Sequence, residues 1–468
     1  MRMDCMQSRL GLTLLTIGGL ALNGCSNGTL TTGTTISPAV KTTTTQTLIT
    51  DAPADQVLAL GLTVDSIVLT DSAGSTTTVL SKPVMIEASH LDAVQEPLLP
   101  PLNIPQDTYV SATITVASPV VVYADSTTKT VVKVDATLAA ASTTVTFTTP
   151  ITVSATSAPI CFDLLVGQSV AISGSTVTVT PTFNVAQISL AKQPTNGGNG
   201  RVNGVVGQVV SVSGTSLVVA TPNGQQITLT TNTSTVLQGF TALSTLTAGE
   251  LVDADVAQQQ DGSLLALRIH LMTQATNMLL GPVTAVTGSP ATSFTQLVRQ
   301  PLGPSVPDST TGSSYTVSVT SSTTFGLAPQ AGTLPSLPFT ALFSASNLIA
   351  GQNVMVAASS ISGTTAVASS VTLAPQTVDG TIASMTTGSG GLTAYVVTLP
   401  SQSALASLTG ATTVTVYSNS GTQMMNASQL AVGSTVRFNG LLFNDNGTLR
   451  MVAGACNDGP APAPPQKH

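Results

Sequence analysis

The sequence predicts an all-β protein, with an N-terminal β-sandwich followed by three small OB-like β-barrel repeats. Charged residues make up only 7% of the chain, against about 25% in an ordinary soluble domain, so long amphipathic helices would lack charges for their outer faces. Thr and Val are abundant, and β-branched side chains suit a pleated, half-buried surface. Short segments of alternating polarity, separated by turns, recur along the chain.

The first 46 residues predict an export signal and a tether. A basic start is followed by a mostly apolar run from Leu10 to Leu22, which at 13 residues is shorter than the about 20 that a membrane span needs. Leu22-Asn23-Gly24-Cys25 resembles a bacterial lipobox. That resemblance implies a signal peptide over residues 1–24 and acylation of Cys25; the alternative is a plain secretory leader. Residues 25–46 are predicted to be a flexible Thr-rich tether.

The lipobox also predicts where the protein resides. Acylation would hold an exported protein on the membrane of the cell envelope through its N-terminal lipid. Ser26, rather than Asp, follows the cysteine, and by resemblance to enterobacterial sorting this favours the outer membrane.

Residues 47–191 are predicted to form the sandwich, from many short strands at near-regular spacing. The run from Leu48 to Asp55, followed by Leu62–Ile67 and Ile104–Tyr109, resembles the opening of a bacterial lipoprotein family called domain of unknown function 4382. Members usually carry Gly before the tyrosine, where this chain has Thr108. The resemblance covers about 145 residues and implies no activity.

Beyond a linker at residues 192–201, the chain repeats itself three times, over residues 202–273, 278–374 and 376–456. Each unit opens with a strand that contains a glycine. A Leu-x-x-Gly marker follows in each unit, then a strand, a turn glycine and a closing strand. The openings are Val202-Asn203-Gly204, Leu279-Leu280-Gly281 and Val378-Asp379-Gly380, and the markers are Leu246–Gly249, Leu348–Gly351 and Leu430–Gly433.

The repeat units predict small closed barrels. The marker leucine should lie in the core, and its glycine should allow a tight entry into the next strand. The units resemble the family called domain of unknown function 5666. A Pro/Ser/Gly-rich insert at residues 290–314 should be a surface loop, and the Pro-rich tail at residues 457–468 should be extended and solvated. We expect the barrels to be spaced like beads.

The two other cysteines of the mature chain, Cys161 and Cys456, could form a disulfide in an oxidising compartment. They belong to different predicted domains, and the alternative is two separate buried thiols.

No metal site, cofactor or catalytic site is predicted. His90, His270 and His468 do not stand at metal-ligand spacing and are interpreted as structural or surface residues. Asp51 and Asp55 could be cation ligands, but two Asp around a Pro turn more often bond nearby N–H groups.

The charge balance argues against nucleic acid as a partner. The net charge is −7. The leader holds Arg2 and Arg9 against Asp4, or +1, so the mature chain carries about −8. Nucleic-acid binding requires a Lys/Arg surface. The predicted partners are the membrane, through the lipid, and a glycan or envelope protein.

The sequence leaves three functions open. The favoured one is a non-enzymatic envelope protein that displays β-domains for binding or spacing. A carbohydrate-binding or adhesion array would need exposed aromatic platforms, for which Tyr123, Tyr315, Tyr395 and Tyr417 are candidates. A hydrolase would need a nucleophile with a base, or opposed carboxylates. Asp253 and Asp255 share one strand face and are interpreted as an exposed edge. A cleft uniting His90 or His270 with carboxylates would favour the enzyme.

Overall fold

The computed structural model describes most of the chain. The predicted signal peptide, the lipidation site Cys25, residues 26–39 of the tether and the linker at residues 192–201 lie outside the described residues. Val40, the one described residue of a first unit (Met1–Val40), is exposed, and the second unit, Lys41–His468, is described below. The described residues are 40–52, 56–91, 94–156, 158–190, 202–272, 277–303, 305–306, 312–328, 334–388, 391–425 and 430–458.

Among the described residues, fifteen strands and one short helix build the N-terminal sandwich. Their side chains alternate between core and surface as half-buried strands require, so that Ala112, Ile114 and Val116 of one long strand are all buried. The elements are β1 Thr42–Thr45, β2 Thr47–Ala52, β3 Val57–Asp71, β4 Thr76–Leu80, β5 Val84–Glu87, β6 Val94–Pro97, β7 Leu102–Pro105, β8 Thr108–Ala124, β9 Val131–Asp135, β10 Thr137–Leu138, β11 Ser142–Thr152, β12 Ile160–Leu165, α1 Val166–Ser169, β13 Val170–Ser173, β14 Thr176–Val179 and β15 Phe183–Gln187.

The sandwich strands form two principal sheets. One has the order β11-β8-β3-β4, with β5 added to β3 and β9 to β8, and the other contains β15-β12-β2-β6. The pair β1-β7 and the three strands β10-β14-β13 complete the domain. One hydrophobic core, which includes Leu60, Ile114 and Phe162, lies within the domain.

The remaining strands fall into three groups, one for each repeat. A short helix, α2 (Ala404–Thr409), lies in the third group, and none of the described helices is long and apolar enough to cross a membrane. The strands are β16 Val202–Ser213, β17 Ser216–Ala220, β18 Gln226–Thr230, β19 Val236–Gln238, β20 Leu251–Gln258 and β21 Leu264–Leu271; β22 Asn277–Gly288, β23 Ala291–Val298, β24 Gln300–Leu302, β25 Ser313–Ser318, β26 Thr324–Leu327, β27 Asn353–Ser362 and β28 Thr365–Leu373; and β29 Gln376–Thr387, β30 Thr393–Thr398, β31 Thr413–Ser418, β32 Gln423–Met425, β33 Thr435–Asp445 and β34 Thr448–Asp458.

Each group closes into a five-stranded barrel. In the first, β16 pairs with both β17 and β20, β17 pairs with β18, β18 runs parallel to β21, and β21 pairs with β20. The barrels β22-β23-β25-β28-β27 and β29-β30-β31-β34-β33 repeat this order. Numbered within a barrel, the order is 1-2-3-5-4-1, an OB-like topology. The predicted all-β fold with barrel repeats is confirmed.

The Leu-x-x-Gly marker is a turn that ties the fourth strand of each barrel to the first. Gly249, Gly351 and Gly433 have φ angles of 92°, 87° and 90°, which favour glycine at the third position of the turn. Each donates its N–H at 2.8 Å to a first-strand carbonyl, of Val209, Val283 and Ile382 respectively. The marker leucines lie in or against the barrel cores, as predicted.

A second glycine permits close approach between the first two strands of each barrel. A Cβ on Gly207, Gly281 or Gly380 would lie 2.1, 1.9 or 2.3 Å from a carbonyl oxygen of the neighbouring strand, in Ala220, Leu297 and Thr398 respectively. The prediction that Gly204 is the equivalent glycine of the first repeat is therefore wrong by three residues, and Gly207 takes that place.

The predicted surface loop at residues 290–314 is wrong over its first half. Residues Ala291–Val298 form barrel strand β23, and Gln300–Leu302 form β24. Phe294 and Leu297 are 1% and 0% exposed, so the segment supplies core side chains. The prediction failed because Pro, Ser and Gly residues, which are typical of loops, flank these apolar positions.

The predicted tether also ends earlier than expected. Thr42–Thr45 form β1, which pairs antiparallel with β7. Gln46 is fully buried, and its side-chain amide donates to the carbonyl of Leu99 at 2.7 Å. The Thr run is ordered because β7 offers backbone partners that composition alone does not reveal. At the other end, β34 extends to Asp458, two residues into the predicted tail.

The sandwich and barrels pack together, so the expectation of spaced beads is wrong. Strand β6 of the sandwich pairs parallel with β16 of the first barrel, and one ten-stranded sheet runs through both domains. Gln352 of the second barrel donates to the Leu442 carbonyl of the third at 2.9 Å. Leu441 and Phe443 of the third barrel belong to the hydrophobic core of the second.

Candidate functional site

Most residues singled out in the sequence are buried within single domains. Cys161 lies in β12 of the sandwich and Cys456 in β34 of the third barrel, and both are buried. A disulfide between them stays a prediction. Cys25 and His468 lie outside the described residues.

The four tyrosines considered as sugar platforms are buried. Tyr123, Tyr315, Tyr395 and Tyr417 are 5%, 3%, 6% and 4% exposed. A stacking platform needs an exposed ring face, so these side chains do not provide one in this structure.

Asp51 makes a hydrogen bond to a residue far away in the sequence and not to a nearby turn. It lies in β2, is 1% exposed, and accepts the N–H of Val166 at 3.3 Å. The turn interpretation is therefore wrong for Asp51, while Asp55 lies outside the described residues. Within the described part of the chain, no group of three or more His, Cys, Asp or Glu side chains could hold a metal ion.

Within the part of the chain that the structure describes, one cluster of ionisable groups lies at the turn after β5. Glu87 ends that strand and is buried. Its Oε1 accepts the N–H groups of Leu60 and Ser89, both at 3.0 Å. Its Oε2 accepts the N–H of His90 and lies 3.1 Å from His90 Nδ1. One carboxylate thus accepts hydrogen bonds from backbone N–H groups of β3 and of the turn, and it also holds the imidazole of His90 in place.

His90 lies between two carboxylates. Its Nε2 is 3.1 Å from Oε1 of Glu96, off the angle of a good hydrogen bond, so this contact is an ion pair. Burial alone would lower the pKa of His90, but the charges of Glu96 and Glu87 outweigh burial and raise the pKa to about 10. Burial would raise the pKa of Glu87, but the hydrogen bond and charge of His90 hold it below its usual value.

The second barrel completes the cluster. Arg299, between β23 and β24, donates from Nε to the carbonyl of Leu58 at 2.5 Å and from Nη1 to that of Ser89 at 3.3 Å. Gln300 donates to Oε1 of Glu96 at 3.2 Å. The cluster therefore joins the sandwich to the second barrel and balances two carboxylates with two cations.

A cavity of about 140 Å³ opens beside this cluster. The turn between β17 and β18 of the first barrel also reaches it, so three domains contribute to its walls. Because His90 is held protonated with both ring nitrogens beside carboxylates, it is a poor general base near neutral pH. The lining residues are Ile49, Met85, Ile86, Glu87, His90, Leu91, Glu96, Pro222, Asn223, Arg299, Gln300 and Pro301.

A second charged cluster lies in the first barrel and corrects a prediction. Asp253 and Asp255 are 6% and 5% exposed, not a solvated edge. Arg268 bonds both, at 3.0 Å from Asp253 Oδ2 and 2.7 Å from Asp255 Oδ2. Burial raises the pKa of Asp255, and the hydrogen bond and charge of Arg268 oppose that shift. Half-buried His270 pairs with Asp253 in the sheet, and burial lowers its pKa.

Sequence reasoning did not identify Glu87, Glu96, Arg299 or Gln300. One signal was present. The chain has only 13 Lys and Arg residues, so an arginine within an apolar, strand-like segment is a candidate for a buried ion pair. Which carboxylate it meets depends on contacts between domains, and the sequence pattern does not contain those.

Residues 206–270 match the family described as Domain of unknown function (DUF5666). That range lies within the first barrel, from β16 to β21, and it supports the repeat prediction. No curated protein matches the chain. A solved structure from Streptococcus pneumoniae, described as a multidomain protein with nucleic acid binding domains, is 13% identical. The similarity covers 54% of this chain and 73% of that one, with a TM-score of 0.11.

The exclusion of nucleic acid as a partner is corrected. The exclusion rested on net charge, whereas the solved structure that resembles this chain is described as having nucleic acid binding domains. At a TM-score of 0.11 the likeness carries no argument for a partner. The exclusion is withdrawn.

Proposed function

We propose that this protein is a non-enzymatic, lipid-anchored component of the cell envelope that holds its sandwich and barrels as one packed body for binding or spacing. The junction cluster is the observation that carries this proposal. Arg299 and Gln300 of the second barrel bond groups of the sandwich, and His90 lies between two carboxylates. The Arg299 guanidinium and the Glu96 carboxylate make hydrogen bonds that hold the second barrel against the sandwich.

Support for the anchor comes from the sequence. Leu22-Asn23-Gly24-Cys25 resembles a lipobox, and the run from Leu48 to Asp55 resembles a lipoprotein family called domain of unknown function 4382. An acylated Cys25 would place the packed domains outside the cytoplasm, with the outer membrane favoured.

Metabolic labelling with a palmitate analogue tests the anchor. The full chain, expressed in a bacterial host, should take up the label and fractionate with membranes, whereas Cys25→Ala should lose the label. Cys161→Ala is the matched control and should be labelled like the parent protein. An unlabelled parent protein would exclude the lipid anchor.

A hydrolase is the second candidate, since the cavity unites His90 with Glu87 and Glu96. The raised pKa of His90 opposes a role as base. Ester and glycoside substrates offered to the purified protein should remain intact. Turnover that disappears in His90→Gln would overturn the non-enzymatic proposal.

A further inference from the structure

The junction cavity has apolar walls and one accessible carboxylate, beside the cationic side chains of His90 and Arg299, whose N–H groups meet carboxylates and backbone carbonyls. Ile49, Leu91 and Pro301 contribute apolar wall, and Met85, 51% exposed, lies on the same cavity. Pockets that bind small molecules are mostly apolar, contain a few placed polar groups and often lie between domains. This cavity shares those properties, because three domains form its walls and most of the exposed wall is apolar.

Glu96 is the accessible acid of the cluster. Its side chain is 20% exposed, against 3% for Glu87. Both oxygens of Glu87 accept contacts from the turn. The contacts of Glu96 with His90 and Gln300, by contrast, both fall on Oε1. Oε2 can accept a further donor, and a cationic N–H group makes the stronger bond to a carboxylate.

The size of the cavity limits the ligand. At about 140 Å³ the cavity is smaller than the pockets of about 300–1,000 Å³ that take drug-sized ligands, so its ligand is small. An ammonium group on a four-carbon chain is a ligand of this kind, and it is also the length of a lysine side chain beyond Cα. The whole chain carries a net charge of −7, which attracts cations rather than anions to its surface.

We propose that this cavity binds a primary alkylammonium group, with the nitrogen on Glu96 and the alkyl chain against Ile49, Leu91 and Pro301. The group could belong to a free amine or to a lysine side chain. This proposal goes beyond the envelope function and does not depend on the lipid anchor.

Titration calorimetry of the full chain with n-butylamine at neutral pH tests the site. We expect a dissociation constant on the order of millimolar, given the small number of ligand atoms, and at least tenfold weaker binding of n-butanol, which lacks the charge. A blocked Gly-Lys-Gly peptide distinguishes the sources. Binding as tight as that of butylamine would indicate a lysine side chain, and absence of peptide binding would indicate a free amine.

Two variants and their controls locate the binding. Glu96→Gln should weaken butylamine binding at least tenfold, whereas Glu250→Gln, in the first-barrel turn, should leave it unchanged. Met85→Trp should fill the cavity without touching the ion pairs. Its control is Met424→Trp, at a methionine of the third barrel that is 44% exposed, against 51% for Met85. Equal binding of butanol and butylamine, no binding of butylamine, or unchanged binding in Met85→Trp would each overturn the proposal.

Discussion

Single buried charges decide much of the local stability. Arg268 is 4% exposed and forms ion pairs with two carboxylates, those of Asp253 and Asp255, which are themselves buried. Removing ions from water is costly, and their mutual attraction offsets that cost only while all partners are present. Loss of the cation should therefore cost more free energy of unfolding than the intact triad contributes.

Replacing Arg268 with Leu should destabilise the first barrel by about 3–5 kcal/mol. Asp253 and Asp255 would remain buried without a counter-charge. Urea unfolding at neutral pH measures the loss. The control is Arg437→Leu, whose partnership with Asp379 is more exposed, at 17% for each side chain, and it should cost about 1 kcal/mol or less. Equal losses in the two variants would contradict the argument.

The junction histidine should give an alkaline limit to stability. The pKa of His90 rises from 6.5 to about 10 on folding. Its contribution is therefore fully present below 6.5 and is lost as pH rises through about 10. Melting temperatures from pH 8 to 11 should fall more steeply in the parent protein than in His90→Gln. Parallel curves would show that the imidazolium adds nothing to stability.

The same cluster should weaken in acid through Glu87. The pKa of this carboxyl lies below its usual 4.5, so its stabilising contribution is present above 4.5 and is lost as pH falls through the lowered value. The two limits together leave the cluster intact across the neutral range.

At the scale of elements, backbone contacts between strands define each barrel. The first-strand glycines approach a neighbouring carbonyl too closely for any side chain. A second contact, from a threonine hydroxyl to the closing strand, recurs in all three barrels, although the sequence pattern did not point to these threonines. Thr235, Thr323 and Thr422 each donate a hydroxyl to an alanine carbonyl of the closing strand, at 2.7, 2.8 and 2.9 Å.

Gly207→Ala should destabilise the first barrel by about 1–3 kcal/mol, because its Cβ would lie 2.1 Å from the Ala220 carbonyl oxygen. Gly363→Ala is a suitable comparison, since its Cβ would meet nothing within 4 Å. Its only expected cost is about 1 kcal/mol of folding free energy, because alanine is disfavoured at the positive φ of 57°. Thermal unfolding of both variants would reveal the difference. A smaller loss for Gly207→Ala would contradict the register of the first repeat.

The alternation of Thr and Val and the Leu-x-x-Gly marker were enough to predict strands, repeats and OB-like closure, because these depend on local pattern. The register of the first repeat was not predictable, since both Gly204 and Gly207 stand in the opening strand and only the fold shows that the Ala220 carbonyl approaches Gly207. Strand β23 was missed because turn residues surround Phe294 and Leu297. The junction cluster was missed because Glu87 and Arg299 are more than 200 residues apart and meet only after the domains pack.

At the scale of the whole molecule, hydrogen bonds, strand pairing and shared core side chains between domains replace the expected flexible spacing. Arg299 contributes directly, because it bonds two carbonyls of the sandwich. Side chains of the third barrel also complete the core of the second. These contacts make relative movement of the domains costly.

Arg299→Ala should loosen the sandwich from the second barrel without unfolding either domain. Small-angle X-ray scattering should show a larger radius of gyration, and limited proteolysis should give domain-sized fragments faster than in the parent protein. Lys82→Ala, an exposed cation of the sandwich, should leave both measurements unchanged. An unchanged scattering profile in Arg299→Ala would mean that other contacts suffice.

The continuation of β6 into β16 has a consequence for how this polypeptide can be divided. A protein truncated near residue 192 would leave unpaired the backbone groups of β6 that otherwise meet Val202 and Asn203. Bare strand edges of this kind recruit other chains. Isolated halves of the chain should therefore be prone to self-association. Proteolysis or gene fusions that separate the two halves would yield fragments that aggregate.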